Sequence, residues 1–142
     1  MFSHNHVLLI ASLNAQGSRR AIYGCLEDGY DIVLLQEIPW TPWRIRTKDV
    51  DLLPLENITV FDKRYKNFHA PLTSPFKIRT LIYIKKELLK YGTFTLTSFS
   101  EWHTTIQWRT ATKTTAITSV YGNVHKRDEV VSVIQGIMAF SG

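Results

Sequence analysis

Two continuous apolar runs near the start of the chain predict two buried strands. The first run, VLLIASL, covers residues 7–13, and the second, DIVLL, covers residues 31–35. Apolar runs of this length, without alternating polar positions, are typical of strands that are covered on both faces. We therefore expect both strands to lie in the interior of a sheet.

The segment between the two runs predicts a helix. Ser18 is placed to cap its first turn, and Gly29 follows the expected last residue, Asp28. Three apolar side chains would form its inner face, those of Ile22, Cys25 and Leu26. A strand, a helix and a second strand in this order predict a right-handed βαβ unit with parallel strands.

The pattern changes twice in the rest of the chain. All five prolines lie within residues 38–78, which predicts an irregular stretch with only a short strand near residues 58–61. From residue 79 onward four segments alternate apolar and polar positions, which predicts an antiparallel or mixed sheet. Asp128 and Glu129 then open a helix with one apolar face. The pattern predicts one α+β domain over residues 1–142.

Composition narrows the class of protein further. The chain has 142 residues, of which 44% are hydrophobic and 20% charged, as expected for one folded domain rather than a disordered tail. No apolar run approaches the ~18 residues of a membrane span. The single cysteine, Cys25, excludes an internal disulfide and fits a reducing compartment. No basic residue precedes the first apolar run, so we expect an intracellular protein, nuclear or cytoplasmic, that is not secreted.

Positive charge is concentrated in the middle of the chain. The net charge is +5, and residues 44–90 hold eleven basic and five acidic side chains. Aromatic residues lie among these charges, a combination typical of a nucleic-acid-binding face, although a solvated loop surface would have the same composition. The candidate substrate contacts in this stretch are Arg44, Arg46, Lys63, Arg64 and Lys66.

Two polar residues end the first two predicted strands. Asn14 follows the first apolar run, and Glu37 follows the second. If the strands are parallel neighbours, both side chains lie at the carboxyl edge of the sheet, where open α/β sheets bind their ligands. A carboxylate beside an amide suits Mg²⁺, which often takes only one or two carboxylates together with water and substrate phosphate. An amide and an acid that satisfy loop backbone groups are the structural alternative.

Four short motifs resemble the endonuclease/exonuclease/phosphatase family, and they occur in the order found in that family. LLIASLNAQG and DIVLLQEIPW resemble its first two motifs, and on them Asn14, Gln36 and Glu37 match one by one. KIRTLIYIKKEL resembles a later strand of the family. TTAITSVYGN resembles the strand that ends in a phosphate-contacting tyrosine, which is Tyr121 here, with Asn123 just after it. The segment QEIPW, a basic loop and IYIKK are most similar to endonuclease domains of non-LTR retrotransposons.

The resemblance implies a fold, an activity and partners. The fold would be half of a four-layer α/β sandwich, and the activity an Mg²⁺-dependent cleavage of DNA, with Mn²⁺ as the alternative ion. Glu37 would hold the metal, Asn14 would orient Glu37 or the base, Tyr121 would contact the scissile phosphate, and Asn123 would contact the substrate. The implied partners are DNA, through backbone contacts, and a reverse transcriptase region or second half-domain encoded downstream, with no membrane.

The sequence also departs from the family pattern. Ile38 interrupts the usual Q-E-P, and Arg79 and Thr80 stand where a glycine is common. No G-D-F-N segment and no terminal S-D-H segment occurs, so the residues that would hold the attacking water and act as general base are missing. The motifs thus correspond to the N-terminal half of a truncated domain, weakly active or inactive as this chain. Such a half-domain would leave four apolar side chains partly uncovered, those of Ile82, Ile84, Ile106 and Trp108.

Three other functions are consistent with the same residues. A non-catalytic nucleic-acid-binding remnant of such a domain would explain the missing motifs. A phosphomonoesterase of the same family would share the motifs that are present. An unrelated small α/β domain would use Asn14 and Glu37 only for structure.

Overall fold

The computed structural model describes residues 8–38, 60, 62–71 and 73–122. Within these ranges the chain forms one α-helix, one 3-10 helix and seven strands. In chain order they are β1 (Ile10–Asn14), α1 (Arg19–Glu27), β2 (Ile32–Gln36), β3 (Tyr65–Phe68), β4 (Thr80–Lys85), the 3-10 helix (Lys86–Tyr91), β5 (Thr93–Phe99), β6 (His103–Arg109) and β7 (Thr114–Val120). The domain is therefore α+β and consists mostly of sheet.

The first sheet is mixed and contains the predicted βαβ start. Its strand order is β1-β2-β4-β3, with β1 parallel to β2 and β4 antiparallel to both of its neighbours. Ser18 caps α1 by accepting a hydrogen bond from the Ala21 N–H at 3.2 Å. Gly29 follows the helix with φ 77°, a left-handed conformation that glycine adopts without steric cost. The predicted helix and the pairing of the first two strands are thus confirmed.

The prediction that the first strand is covered on both faces is wrong. β1 lies at the edge of the first sheet, and its side chains alternate between exposed and half-buried. The side chain of Ile10 is 53% exposed, whereas Ile32, its register partner on β2, is fully buried. The apolar run correctly predicted a strand, but the position of a strand within a sheet depends on distant partners such as β4.

The second sheet is antiparallel, with order β5-β6-β7, and it packs on one face of the first sheet. Helix α1 packs on the opposite face. Apolar side chains from β2 and β4 therefore fill two cores. Val33, Leu35, Leu81 and Tyr83 lie on the helix side, and Ile32, Ile82, Ile84, Phe94, Ile106 and Ile117 lie between the sheets.

This packing overturns the expected apolar face. Ile82, Ile84 and Ile106 are fully buried, because the two sheets cover each other. Trp108 is half-buried, stacks on Phe94 with ring centroids 5.1 Å apart, and donates its indole N–H to the Tyr91 carbonyl at 3.2 Å. The expectation that these side chains would be partly uncovered is therefore wrong for the three isoleucines, whereas Trp108 is partly exposed as expected.

The structure confirms some of the remaining predictions and not others. The four alternating segments form β4 to β7, but β4 belongs to the first sheet and the other three form the second. β3 was not predicted at all. The helix expected from Asp128 and, apart from residue 60, the strand expected over residues 58–61 lie outside the described residues. No helix in the described ranges is both long enough and apolar enough to cross a membrane.

Candidate functional site

The turn after β1 links Asn14 to the end of β2. The Asn14 Oδ1 accepts a hydrogen bond from the Gln16 N–H at 3.1 Å, a local turn that asparagine favours. Gln16 and Gly17 both have left-handed backbones, with φ 49° and 74°. The Gly17 N–H then donates to the Glu37 carbonyl at 2.8 Å. Asn14 therefore stabilises the turn that fixes the backbone of Glu37.

Glu37 lies directly after β2, where the backbone leaves the sheet. Asn14 and Gln36 are register partners on parallel strands, so their backbones are about 4.8 Å apart and Glu37 is the next residue. Glu37 has φ 52°, a left-handed conformation that is uncommon for a residue other than glycine, asparagine or aspartate. Its side chain is half-buried and makes no hydrogen bond or ion pair with the residues that the structure describes. Glu37 thus follows the register partner of Asn14 at one edge of the sheet, as the sequence predicts.

A layer of polar side chains joins the two sheets at this end. The Gln36 Nε2 donates to the Ser119 Oγ at 3.0 Å, and the Ser119 hydroxyl donates to the Leu35 carbonyl at 2.7 Å. Nearby, the Thr80 and Thr104 hydroxyls lie 2.7 Å apart, and both side chains are almost fully buried. Buried polar groups with partners of this kind fix the register between packed elements. The hydrogen bonds of Ser119 with Gln36 and Leu35 hold the ends of β2 and β7 together.

Tyr121 follows β7 at the same end of the molecule. Its ring stacks on that of Trp102, with centroids 5.7 Å apart and planes 10° from parallel. The Arg79 guanidinium carbon lies 4.9 Å from the Trp102 ring and 5.7 Å from the Tyr121 ring. Arg79 also pairs with Glu101, with Nη2 and Oε1 3.2 Å apart. Tyr121 therefore lies at the end of the molecule that contains Asn14 and Glu37, beside a cation.

Sequence reasoning did not identify Arg79, Glu101 or Trp102 as site residues. Arg79 was counted among the eleven basic residues of positions 44–90 and as a departure from a family motif, because nothing local indicates that it meets the turn between β5 and β6. The one usable signal is its place immediately before β4, whose first residue, Thr80, pairs with Gln36. Because Arg79 precedes Thr80 and Glu37 follows Gln36, the backbones of Arg79 and Glu37 lie beside each other.

The three predicted basic contacts that the structure describes, Lys63, Arg64 and Lys66, do not line this edge. Lys63 and Arg64 precede β3, and the Lys86 N–H donates to the Arg64 carbonyl at 2.8 Å. That point lies beyond the far end of β4, whose length of six residues places it about 17 Å from the Thr80 end. Lys66 is on β3, with its ammonium 5.2 Å from the Phe68 ring centroid. Arg44, Arg46 and Asn123 lie outside the described residues.

Arg64 instead contacts the end of α1. Its Nη2 donates to the Leu26 carbonyl at 3.2 Å and pairs with Asp62 at 2.7 Å. Cations near the last turn of a helix stabilise its unpaired carbonyls. The hydrogen bond from Arg64 lowers the pKa of the Asp62 carboxyl. Arg64 therefore has a structural contact that accounts for its position.

Two histidines lie toward the Glu37 end of the sheets, because His69 follows Phe68, the register partner of Ile82, and His103 pairs with Val120, the residue before Tyr121. Burial raises the pKa of the Cys25 thiol, which lies on the inner side of α1. His69 Nδ1 is 2.7 Å from the Ala70 carbonyl, and the His103 ring nitrogens are 2.8 and 2.7 Å from the Ser98 and Ser100 hydroxyls. A groove of about 840 Å³ that includes Lys90 and Arg109 lies at the opposite end of the second sheet. The two histidines have carbonyl or hydroxyl partners, and the groove lies away from the Glu37 edge.

The donor atoms at this edge fit a hard cation. The Glu37 carboxylate has no partner within the described ranges, and the Asn14 Oδ1 keeps a lone pair beyond its bond to Gln16. Mg²⁺ binds through few protein oxygens and retains water, so one carboxylate and one amide oxygen are an acceptable set. The described part of the chain contains no group of three or more His, Cys, Asp or Glu side chains placed to hold a metal ion. The fit of this edge to a cation therefore depends mainly on the Glu37 carboxylate.

No protein-family model matches this chain, and no curated protein matches it. The resemblance to the endonuclease/exonuclease/phosphatase family accordingly rests on the four short motifs.

Proposed function

We propose that the chain is an Mg²⁺-dependent, endonuclease-like phosphodiesterase domain of the retrotransposon type that acts on DNA. The main support is a single observation, the half-buried carboxylate of Glu37, which has no partner among the described residues and lies at the same end of the molecule as Asn14, Arg79 and Tyr121. A cation on Glu37 and the guanidinium of Arg79 would offer two positive groups to one phosphodiester. Charge-assisted hydrogen bonds of this kind are the strong ones in phosphate recognition.

The arrangement of layers also fits the proposal. Helix α1, the mixed sheet and the antiparallel sheet are stacked in that order. They would correspond to three of the layers of the four-layer α/β sandwich that the resemblance implies. The proposed catalytic edge would then lie at one end of both sheets.

Each residue has a separate role in the proposed reaction. Glu37 would hold the metal, and Asn14 would keep the turn that positions the Glu37 backbone. The Tyr121 hydroxyl would donate a hydrogen bond to a phosphate oxygen. Bound Mg²⁺ would supply electrostatic stabilisation of the negative charge that develops on the phosphate and the leaving oxygen. DNA would lie across this end of the molecule with the scissile phosphate between Glu37 and Tyr121.

We expect the turnover of this chain to be slow or absent. The sequence contains no G-D-F-N or S-D-H segment, so the family's general base and its partner are not assigned to any residue. General acid–base catalysis typically contributes about 10²–10⁴-fold. A domain that binds metal and phosphate without that contribution would cleave DNA near background rates.

The test is nicking of supercoiled plasmid by the full chain, with Mg²⁺ or with EDTA. We expect slow, Mg²⁺-dependent nicking that Glu37→Gln abolishes. Glu87→Gln is the matched control, because Glu87 is 63% exposed beside the far end of β4 and loses the same charge. Nicking that survives EDTA or Glu37→Gln contradicts the proposal. No nicking, together with a DNA affinity that Mg²⁺ does not change, would contradict it in favour of a non-catalytic DNA-binding remnant.

A further inference from the structure

We propose that Arg79 is a further substrate-binding residue, which contacts the DNA phosphate at the Glu37 edge and is held in place by Glu101, Trp102 and Tyr121. The inference rests on the proposed function, since it takes DNA as the substrate. Arg79 lies within the basic stretch of residues 44–90, but it was not among the five candidate contacts there.

Arg79 has N–H donors that its contact with Glu101 does not use. Its Nε donates to the Glu101 Oε1 at 3.2 Å, and its Nη2 lies 3.2 Å from the same oxygen. A guanidinium carries more N–H donors than this one oxygen uses, and Nη1 has no partner within the described ranges. The side chain is 26% exposed, so a ligand can reach the remaining donors.

The surroundings of Arg79 orient its guanidinium. The rings of Trp102 and Tyr121 lie 4.9 and 5.7 Å from its central carbon, and the two rings stack on each other. Cation–π contacts and the ion pair with Glu101 restrict a side chain that would otherwise be flexible. A planar group that is already oriented loses little conformational freedom when it binds a phosphate.

The backbone places Arg79 next to Glu37. Gln36 on β2 pairs with Thr80 on β4, and the next residues at that end are Glu37 and Arg79. The backbones that carry the Glu37 carboxylate and the Arg79 guanidinium are therefore neighbours. A phosphodiester carries negative charge on two oxygens, so it can contact both positive groups at once.

A purely structural role makes a different prediction. If Arg79 only joins the two sheets through Glu101, its removal would lower stability and leave the DNA affinity of the folded protein unchanged. The two roles are separated by measuring DNA binding in EDTA, where the metal makes no contribution, and by titrating salt.

The experiment measures the anisotropy of a short labelled DNA duplex with the full chain in EDTA. We expect Arg79→Ala to weaken binding about 10-fold, as loss of hydrogen bonds to a charged group would. The slope of log K against log salt should fall by about 0.9, the value for one phosphate contact on a duplex. Arg79→Lys should keep the slope with weaker binding, because lysine keeps the charge and lacks the planar fork.

Two further variants complete the test. Lys113→Ala removes one exposed positive charge at the opposite end of the second sheet and should change affinity by no more than about 2-fold, because salt screens charges that far from the DNA. Glu101→Gln loses the ion pair that holds Arg79 but keeps an amide oxygen that can accept from the guanidinium, so it should lower stability and weaken metal-free DNA binding by less than Arg79→Ala does. The proposal is overturned if folded Arg79→Ala matches Lys113→Ala in both affinity and slope.

This outcome is distinguishable from failure of the proposed function. Nicking that requires Glu37, together with unaltered DNA binding by Arg79→Ala, would remove only Arg79 from the site. Weaker metal-free binding by Arg79→Ala, together with nicking that does not require Glu37, would overturn the proposed function alone.

Discussion

Glu37 has an unfavourable backbone conformation for its residue type. Its φ of 52° places it in the left-handed region, where most side chains crowd the following carbonyl at a cost of roughly 1–2 kcal/mol. The Gly17 N–H holds the Glu37 carbonyl, which fixes the backbone there. Strain of this kind is concentrated at functional sites, where a particular side chain is needed despite its cost.

This strain leads to a prediction about stability. Asparagine tolerates the left-handed region better than glutamate, so Glu37→Asn should leave the free energy of unfolding unchanged or raise it by about 0.5–1 kcal/mol. The same substitution should abolish Mg²⁺-dependent nicking, because it removes the carboxylate. Urea denaturation measures the first effect and plasmid nicking the second. A loss of more than about 1 kcal/mol in Glu37→Asn would mean that Glu37 stabilises the fold and is not strained for function.

At the scale of elements, the end of α1 depends on β3 and the residues before it. Arg64 and the Tyr65 hydroxyl both donate to carbonyls at this end, at Leu26 and Tyr30. Asp62 holds Arg64 through a hydrogen bond of 2.7 Å. An acidic side chain is therefore needed to position a cation at the helix C-terminus.

The lowered pKa of Asp62 predicts a pH dependence. A carboxyl whose pKa is lower in the folded state than in the unfolded state, where it is about 3.9, stabilises the fold fully above that value. The stabilisation disappears as pH falls through the lower, folded pKa. We expect Asp62→Asn to lower the urea midpoint slightly at neutral pH and to match the wild type in strong acid. A difference that grows toward acid pH would contradict this account.

Local signals and long-range packing explain which elements the sequence revealed. The ends of α1 were predictable, because Ser18 and Gly29 act on the backbone next to them. The edge position of β1 was not, because it depends on the pairing of β2 with β4. The sequence of β3, YKNF, has weak alternation, and its buried residues are covered by neighbouring elements rather than marked by a local pattern.

In the candidate site too, the contacts that depend on long-range packing could not be predicted from the sequence. Asn14 and Glu37 were predictable as neighbours, because parallel strands end at one edge. The contact between Arg79 and the Trp102–Tyr121 pair joins three separate segments, which only the packing of the two sheets brings together. The basic residues before and on β3 have the expected charge, but they lie toward the other end of the first sheet.

At the scale of the whole molecule, one end of the two-sheet sandwich combines the candidate metal ligand with an oriented cation. We expect the chain to bind duplex DNA without sequence preference, with a Kd of roughly 10⁻⁴–10⁻⁶ M at physiological salt and steep weakening as salt rises. Salt titration of binding measures this. A flat response between low and moderate salt, or no binding at low salt, would count against DNA as the partner.

The central claim, a divalent-cation site at the Glu37 edge, is tested most directly by NMR with Mn²⁺. Paramagnetic Mn²⁺ broadens the amide signals of residues close to it, whether or not the protein turns over substrate. At low Mn²⁺ concentration we predict selective broadening at Asn14, Gln16, Glu37 and Tyr121, with competition by Mg²⁺ and loss of the effect in Glu37→Gln. Broadening at the far end of the sheets, near Asp62 or Glu87, with these four signals unaffected, would contradict the account.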